Sequence, residues 1–291
     1  MFQFFANIFG FILNFINDLV GNYGLAIILF TLLIKLIMLP LSIKQQRTMK
    51  KTSKLQEQIK ILQFKYKNDP EKLNREMMEL YKKENMSPFS GCLSTIAQFI
   101  LLISIFYMVR FPLTYMKRID KTQIDTYVQQ MKDDGMEVSQ AYSEIDVVRE
   151  LDYLKEKFPE DENLTKINLN MQFCGLDLSK IPQQNLGDWT VYIIPILYII
   201  STFISMRITT AMQNRSTKKK DDVIDITENK EEERNEMEDA MAQSNKMMSW
   251  MMPIMSVSIS LVAPLGLALY WLVNNILMIG ERLILDKVVK D

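Results

Sequence analysis

Residues 24–43 read GLAIILFTLLIKLIMLPLSI, a run of 20 residues in which Lys35 is the single charged side chain. One helix needs about 20 apolar residues to cross a bilayer. The run therefore predicts a transmembrane helix. Lys35 becomes the first candidate for a functional group, because a charged side chain at such a depth is costly.

Three further runs carry no charge at all, at 89–109, 189–206 and 247–280. The last has 34 residues, too many for one span and enough for two short spans divided by a turn at Pro264 and Gly266. Five such spans would be unusual in the core of a soluble protein. The predicted fold class is all-α: a polytopic membrane protein whose five transmembrane helices form a bundle.

Lysine and arginine asymmetry predicts the orientation of these spans. The segment 44–86 holds 12 basic and 6 acidic residues, whereas 111–186 holds 9 basic and 14 acidic residues. In 207–246 the basic residues crowd next to the membrane. The positive-inside rule places the first and third segments in the cytoplasm, with the N-terminus outside and the C-terminus inside.

The predicted organisation follows from these assignments. It comprises an outer-interface amphipathic helix (1–22), transmembrane helix 1 (23–43), a basic cytoplasmic helical hairpin (44–87), transmembrane helix 2 (88–110), an extracellular loop with helices (111–187), transmembrane helix 3 (188–206), a charged cytoplasmic loop (207–246), transmembrane helices 4 (247–262) and 5 (265–280), and a cytoplasmic tail (281–291).

The first 20 residues contain no basic side chain, unlike the charged start of a secretory signal. Phe2, Phe5 and Phe9 recur at three- and four-residue steps, and asparagines supply a polar side. This pattern favours an amphipathic helix in the outer interface. The alternative is a sixth, weakly hydrophobic span.

The basic segment 44–87 has two apolar stripes at helical spacing, separated at Asp69 and Pro70. An aspartate followed by proline is typical of a helix start. The pattern predicts two antiparallel helices whose basic, methionine-containing surface suits a ribosome, anionic lipid or a nascent apolar segment. The alternative is a solvated loop that only enforces topology.

Composition excludes several classes of chemistry. The chain has no histidine and two cysteines, which rules out Ser-His-Asp and Cys-His catalysis, imidazole metal sites and a disulfide framework. A formal net charge of −1 argues against a broad basic nucleic-acid surface. We expect no enzyme activity and no cofactor.

The environment of Lys35 is the central question. It lies eight residues before Ile43, about 12 Å along a helix, so full snorkelling to that end would be strained. None of the predicted spans contains Asp or Glu between its ends. We therefore predict a water-filled groove, with a lysine that snorkels to lipid phosphate as the alternative. The polar residues available to line this groove beside Lys35 are Thr31, Gln98, Ser94, Ser201, Ser205, Asn274 and Asn275.

Six strings then resemble the YidC membrane-protein insertase family, in its bacterial branch without a large outer domain. They are Tyr23–Leu41, Tyr81–Leu93, Gly175–Lys180 with Tyr192–Leu197, and Met251–Met255 with Pro264–Asn275. The resemblance covers all five spans and the hairpin. It implies a bacterial plasma-membrane insertase and chaperone with a groove that opens to the cytoplasm and lipid.

The resemblance also assigns roles to individual residues. Lys35 matches the family's intramembrane basic residue, which is usually arginine, and a lysine lacks the planar fork that arginine offers a carboxylate. Thr31 and Gln98 match other groove positions, whereas Phe99-Ile100 replaces a usual Met-Pro and Ser94 stands where proline is common. The outer segment 113–170 is longer than usual.

The sequence thus predicts insertion of newly made membrane proteins through a hydrated groove with a fixed positive charge. Expected partners are nascent membrane proteins, the bilayer, and the Sec translocase and ribosome, with no sequence-specific nucleic-acid binding and with activity as a monomer. The alternative is a small-solute secondary transporter or channel. Such proteins usually place acidic residues near the midplane, which these spans lack. An intramembrane enzyme is a weaker alternative, because the chain has no histidine.

Overall fold

The computed structural model describes residues 2–67, 69–84, 90–217 and 257–288. The chain forms two compact units. The first comprises Met1–Ile37, Gln98–Ser201 and Ser256–Met278, and the second comprises Met38–Ala97, Thr202–Met255 and Ile279–Asp291. The structure is 80% helical, which confirms the all-α class.

The longest helices contain the apolar runs of the sequence, and the α-helices differ widely in length. They are α1 (Phe2–Val20), α2 (Tyr23–Lys65), α3 (Pro70–Lys83), α4 (Ser90–Arg110), α5 (Lys121–Asp133), α6 (Ser143–Arg149), α7 (Leu151–Lys157), α8 (Glu162–Lys166), α9 (Ile193–Thr217) and α10 (Leu265–Val288). Residues 257–262 are also helical, and the chain bends at 263–264 before α10 begins. Most of the predicted fourth span, 247–262, lies outside the described residues.

Among the described residues, four helical segments are long and apolar enough to cross a membrane: Phe2–Val20, Tyr23–Thr48, Trp189–Met212 and Leu265–Val288. Gln98–Arg110 of α4 forms a shorter apolar helix. Large apolar side chains stay exposed along one face of each, for example Leu36 on α2, Phe99 on α4, Ile200 on α9 and Ile276 on α10. In water such faces would be unfavourable, whereas in a bilayer they contact lipid, so the exposure pattern is that of a multi-pass membrane protein.

Helix α2 continues through the end of the predicted first span without interruption. Its 43 residues correspond to about 65 Å, roughly twice the hydrocarbon thickness. Pro40 lies inside the helix, and lysine, glutamine and arginine, all good helix formers, follow from Lys44 onwards. One continuous helix therefore contains both the apolar run with Lys35 and the first part of the basic segment.

Helix α3 begins as the sequence indicates. The side chain of Asp69 accepts a hydrogen bond from the backbone N–H of Lys72 at 3.0 Å, and Pro70 occupies the first helical position. This cap satisfies a donor that has no partner within the helix. The break between α2 and α3 is thus specified locally.

Residues 111–188, termed the outer region because the sequence predicts that they lie outside the membrane, form a folded structure rather than an extended linker. Tyr127, Met131, Val147 and Leu154 are fully buried in it. A π-helix at Leu113–Lys117 is held by the buried carboxylate of Glu144. This carboxylate accepts hydrogen bonds from Leu113 N (2.8 Å), Thr114 N (3.0 Å) and Thr114 Oγ1 (2.5 Å).

Two other features of the outer region stabilise its connection to α9. Residues 172–177 form a two-stranded antiparallel sheet, β1 (Gln172–Phe173) and β2 (Leu176–Asp177), which the sequence analysis did not anticipate. Lys180 Nζ donates to Asp188 at 2.8 Å, and this bond lowers the pKa of Asp188 to about 2. Asp188 in turn caps the 3₁₀ turn Trp189–Tyr192 that leads into α9.

Helix α1 packs against this outer region. A Cβ atom added at Gly10 would lie 2.2 Å from the carbonyl oxygen of Tyr115, so only glycine permits this approach. Lys117 Nζ lies 3.2 Å from Asp18 Oδ1 at the same interface. Large apolar side chains occupy the opposite, exposed face: Phe4, Ile8, Phe11, Phe15 and Leu19. That face can contact lipid whether α1 lies in the outer interface or crosses the bilayer, so the interfacial position of α1 stays a prediction.

We predict that Gly10→Ala weakens the packing of α1, because the new methyl group would overlap the Tyr115 backbone. Overpacking of this kind costs about 1–3 kcal/mol, which a lowered thermal midpoint in nanodiscs would report. Gly187→Ala is the matched control, since no atom lies within 4 Å of its added Cβ. Equal midpoints for the two variants would contradict the close approach.

Candidate functional site

Lys35 lies on the side of α2 that faces the protein. In the helical turns around it, Ile27, Thr31 and Ile34 are buried, with exposures of 1%, 2% and 7%. Lys35 itself is half-buried. The next residue, Leu36, is 60% exposed. Because successive helical residues are about 100° apart, the lipid-exposed face and the Lys35 face of α2 are distinct.

Thr31, one turn before Lys35, has its hydroxyl satisfied within its own helix. Its Oγ1 donates to the carbonyl oxygen of Ile27 at 2.6 Å. Backbone bonding of this kind is common for buried threonine in helices. The hydroxyl oxygen keeps acceptor capacity, so Thr31 contributes a polar group beside Lys35 at little cost.

Ser201 and Asn275 form a buried polar pair that joins α9 to α10. Asn275 Nδ2 donates to Ser201 Oγ at 3.0 Å, and Ser201 Oγ donates to the Tyr198 carbonyl oxygen at 2.8 Å. Both residues are less than 10% exposed. Next to this pair the Tyr198 and Trp271 rings contact each other, with centroids 5.9 Å apart. A polar pair between two apolar helices fixes their register.

The other predicted groove residues occupy varied positions. Gln98 is exposed on α4, and Asn274 is half-buried beside Asn275. Ser205 is buried in the second unit, where its carbonyl oxygen accepts from Thr209 Oγ1 at 2.8 Å. Ser94 lies in α4, and its side chain is outside the described part of the chain. Of the predicted set, the structure joins Ser201 to Asn275 by a direct bond and places Thr31 and Lys35 one turn apart.

Sequence reasoning missed a polar cluster in the second unit. Arg282 Nη1 donates to Thr209 Oγ1, which joins α10 to α9. Lys50 Nζ lies 3.9 Å from Asp286 Oδ1, which joins α2 to α10. These contacts exist because α10 extends to Val288, beyond Gly280, where the uncharged run ends. The only signal in the sequence was a continued helical pattern of Leu283, Ile284 and Val288.

Within the described residues, no group of three acidic or cysteine side chains is arranged to hold a metal ion. The candidate site therefore offers a cation, hydroxyls and carboxamides. Such groups can bind and hydrate a polar or acidic segment.

Comparisons with known proteins identify relatives of this chain. A family model described as 60Kd inner membrane protein matches residues 15–291. Proteins named "Membrane protein insertase YidC" from Francisella tularensis subsp. novicida (strain U112) and subsp. tularensis (strain SCHU S4 / Schu 4) are 50% identical over 109 residues. That match covers 38% of this chain and 20% of each relative, so the matched part spans about a fifth of the length of these curated proteins.

We predict energetic coupling between Ser201 and Asn275. A double-mutant cycle with Ser201→Ala and Asn275→Ala should give a coupling energy of about 0.6 kcal/mol, and at most about 1.7 kcal/mol, as for other buried hydrogen bonds between membrane helices. Reversible unfolding in mixed micelles would measure it. The same cycle with Asn274→Ala in place of Asn275→Ala should be additive, and additivity in both cycles would refute the pair.

Proposed function

Because the chain belongs to the 60Kd inner membrane protein family, the YidC family, we propose that it inserts newly made membrane proteins into the bacterial inner membrane and assists their folding. The family is not an enzyme family, in line with the expectation of no covalent catalysis. Its members are multi-pass proteins of the bacterial inner membrane, and the apolar helices of this chain agree with that location.

The proposed mechanism is solvation and charge attraction by Lys35. The observation that supports it most is that Lys35 is half-buried on the Thr31 face of α2, while neighbouring Leu36 is exposed. An ammonium on that face attracts an acidic or polar segment of a substrate. The apolar segment of the substrate that adjoins this polar segment meanwhile partitions into lipid.

The attraction of Lys35 for a carboxylate is large enough to offset the free-energy cost of placing that carboxylate in the membrane. An aspartate at the centre of a membrane helix costs about 2.5–3.5 kcal/mol on insertion scales. A lysine 4 Å from that carboxylate attracts it by about 4 kcal/mol at an effective dielectric constant of 20. The two terms are of similar size, so one fixed charge can offset the cost of one carboxylate.

Water is the second part of the proposal. A water-filled groove beside Lys35 hydrates the arriving polar segment of the substrate. Its proposed lining residues are Thr31, Gln98, Ser94, Ser201, Ser205, Asn274 and Asn275. The same proposal places the N-terminus outside and the C-terminus in the cytoplasm, according to the lysine and arginine asymmetry of the loops. The basic segment that follows the first span then contacts the ribosome, and the Sec translocase is a further partner.

Substitutions that keep or remove the charge of Lys35 test the proposed charge attraction. Lys35→Arg should retain insertion, whereas Lys35→Leu should reduce insertion of a substrate with an acidic tail by at least tenfold, because the attraction of about 4 kcal/mol exceeds the roughly 1.4 kcal/mol that corresponds to a factor of ten. Insertion into proteoliposomes at equal protein content would be measured. Lys155→Leu is the matched control, because it removes an exposed lysine of α7 that belongs to neither the proposed groove nor the basic segment, and it should leave insertion unchanged. Equal insertion by the leucine and arginine variants at position 35 would defeat the mechanism.

Hydration of the groove gives a separate prediction. In a background without Cys92 and Cys174, Lys35→Cys should react with a membrane-impermeant thiol reagent added from the cytoplasmic side. Leu36→Cys should not react, because Leu36 lies on the exposed apolar face of α2. Labelling would be read by mass shift. An unreactive cysteine at position 35 would mean that the Lys35 face is dry.

A further inference from the structure

The segment 168–180, termed here the outer hairpin, is a compact ribbon in the first unit. It contains β1 and β2, with Gln172 paired to Asp177 and Phe173 paired to Leu176. Cys174 and Gly175 form the turn, with φ values of 51° and 79°. Two central residues with positive φ are typical of the two-residue turns that match the twist of a hairpin.

One side of the outer hairpin is bonded to the junction of α1 and α2. The bonds run from Asn17 Nδ2 to Asn168 O (2.9 Å), from Tyr23 N to Asn170 O (3.0 Å) and from Asn22 Nδ2 to Gln172 O (2.7 Å). Tyr23 is the first residue of α2, so its N–H has no acceptor within the helix. The hairpin supplies that acceptor.

Close packing reinforces these bonds at Gly24. A Cβ added at this residue would lie 2.4 Å from Cγ of Phe173, so the aromatic ring sits directly on the α2 backbone. Such a contact tolerates no side chain at Gly24. The first turn of α2 is therefore fixed to β1 by both hydrogen bonds and packing.

The other side of the outer hairpin is bonded to the start of α10. Leu265 N donates to Lys180 O and Gly266 N donates to Leu178 O, both at 2.9 Å. These are the first two N–H groups of α10, which again lack acceptors within their own helix. Leu178 is fully buried. The hairpin thus caps α10 as well as α2.

The three elements meet at Gly266. A Cβ at this position would lie 3.4 Å from Cε1 of Tyr23 and 3.6 Å from the carbonyl oxygen of Leu178. The first turns of α2 and α10 and the end of the hairpin are therefore in mutual contact. A movement of either helix at this end would break backbone bonds to the same ribbon.

We propose that the outer hairpin is a positioning element that holds the first turns of α2 and α10 at a fixed separation. The helix that carries Lys35 and the helix that carries Asn275 then cannot part at this end, and the relative depth of these two side chains stays constant. The consequence for insertion rests on the proposed function, whereas the fixed separation does not.

The test measures the separation of the two helices in the full chain, without substrate. Spin labels are placed at Leu25 on α2 and Ile276 on α10, which are 39% and 53% exposed. The background carries Cys92→Ser and Cys174→Asn, since asparagine tolerates a positive φ. Pulsed electron resonance in nanodiscs then gives the distance distribution.

Leu265→Pro removes the N–H that bonds to Lys180, and proline suits the first position of a helix. We expect its distribution to become at least twice as broad as that of the parent. Leu265→Ala is the matched control, because it shortens the same buried side chain and keeps the N–H. A parent-like distribution in Leu265→Pro, or equal broadening in Leu265→Ala, would overturn the proposal.

Asn22→Asp provides a second variant that does not disturb α10. The Asn22 side chain has two roles, because its Oδ1 accepts from Leu25 N (3.0 Å) while its Nδ2 donates to Gln172 O. Aspartate keeps the helix cap and loses only the donor to the hairpin. It should broaden the distribution as well, and an unchanged width would count against the hairpin as the restraint.

An insertion assay with Lys35→Leu distinguishes a failure of the proposed function from a failure of the hairpin as a restraint. If Lys35→Leu inserts normally, the proposed function fails while the distance measurement still decides whether the hairpin restrains the helices. A loss of thermal stability that leaves the chain folded at the measuring temperature would not broaden the distribution, so variants are compared at equal helical content and the readout reports position rather than folding.

Discussion

The hydrocarbon core of a bilayer offers no water to the backbone, so each crossing segment must satisfy its own N–H and C=O groups as a helix. The same constraint acts on side chains. Exposed faces of α2, α9 and α10 carry leucine and isoleucine, whereas Thr31, Ser201 and Asn275 are buried and hydrogen-bonded. Lys35 follows this rule, because it lies half-buried on the protein side of α2. The proposed mechanism depends on that side being wet and on its charge being reachable by substrate.

The outer region has a larger structural role than its position between two spans suggests. Its π-helix packs on Gly10 of α1, and its hairpin provides acceptors for the first N–H groups of α2 and α10. Helix starts are where backbone donors lack partners. By supplying these partners, a segment of irregular structure positions helices that the bilayer alone leaves free to slide and tilt.

Much of the fold could be predicted from the sequence, since hydropathy reports directly on transfer into lipid. The all-α class and the family follow from apolar run length and from strings such as Pro264–Asn275. The start of α3 could also be predicted, because Asp69 and Pro70 act locally. The continuity of α2 through Pro40, the extension of α10 to Val288 and the hairpin at 172–177 could not. The hairpin depends on bonding with residues distant in sequence, and the two helices continue past the apolar runs that define the predicted spans.

By itself, then, the sequence determined that the chain crosses a membrane as helices, which family it belongs to and which intramembrane residue is charged. These properties depend on composition and on neighbours within one helical turn or one span. Only the tertiary structure decided which polar side chains meet, because Ser201 and Asn275 are 74 residues apart along the chain. Only the tertiary structure also showed that Tyr23 and Leu265 both bond to the outer hairpin. Any residue with a backbone N–H group can make such a bond, so the residue types do not reveal it.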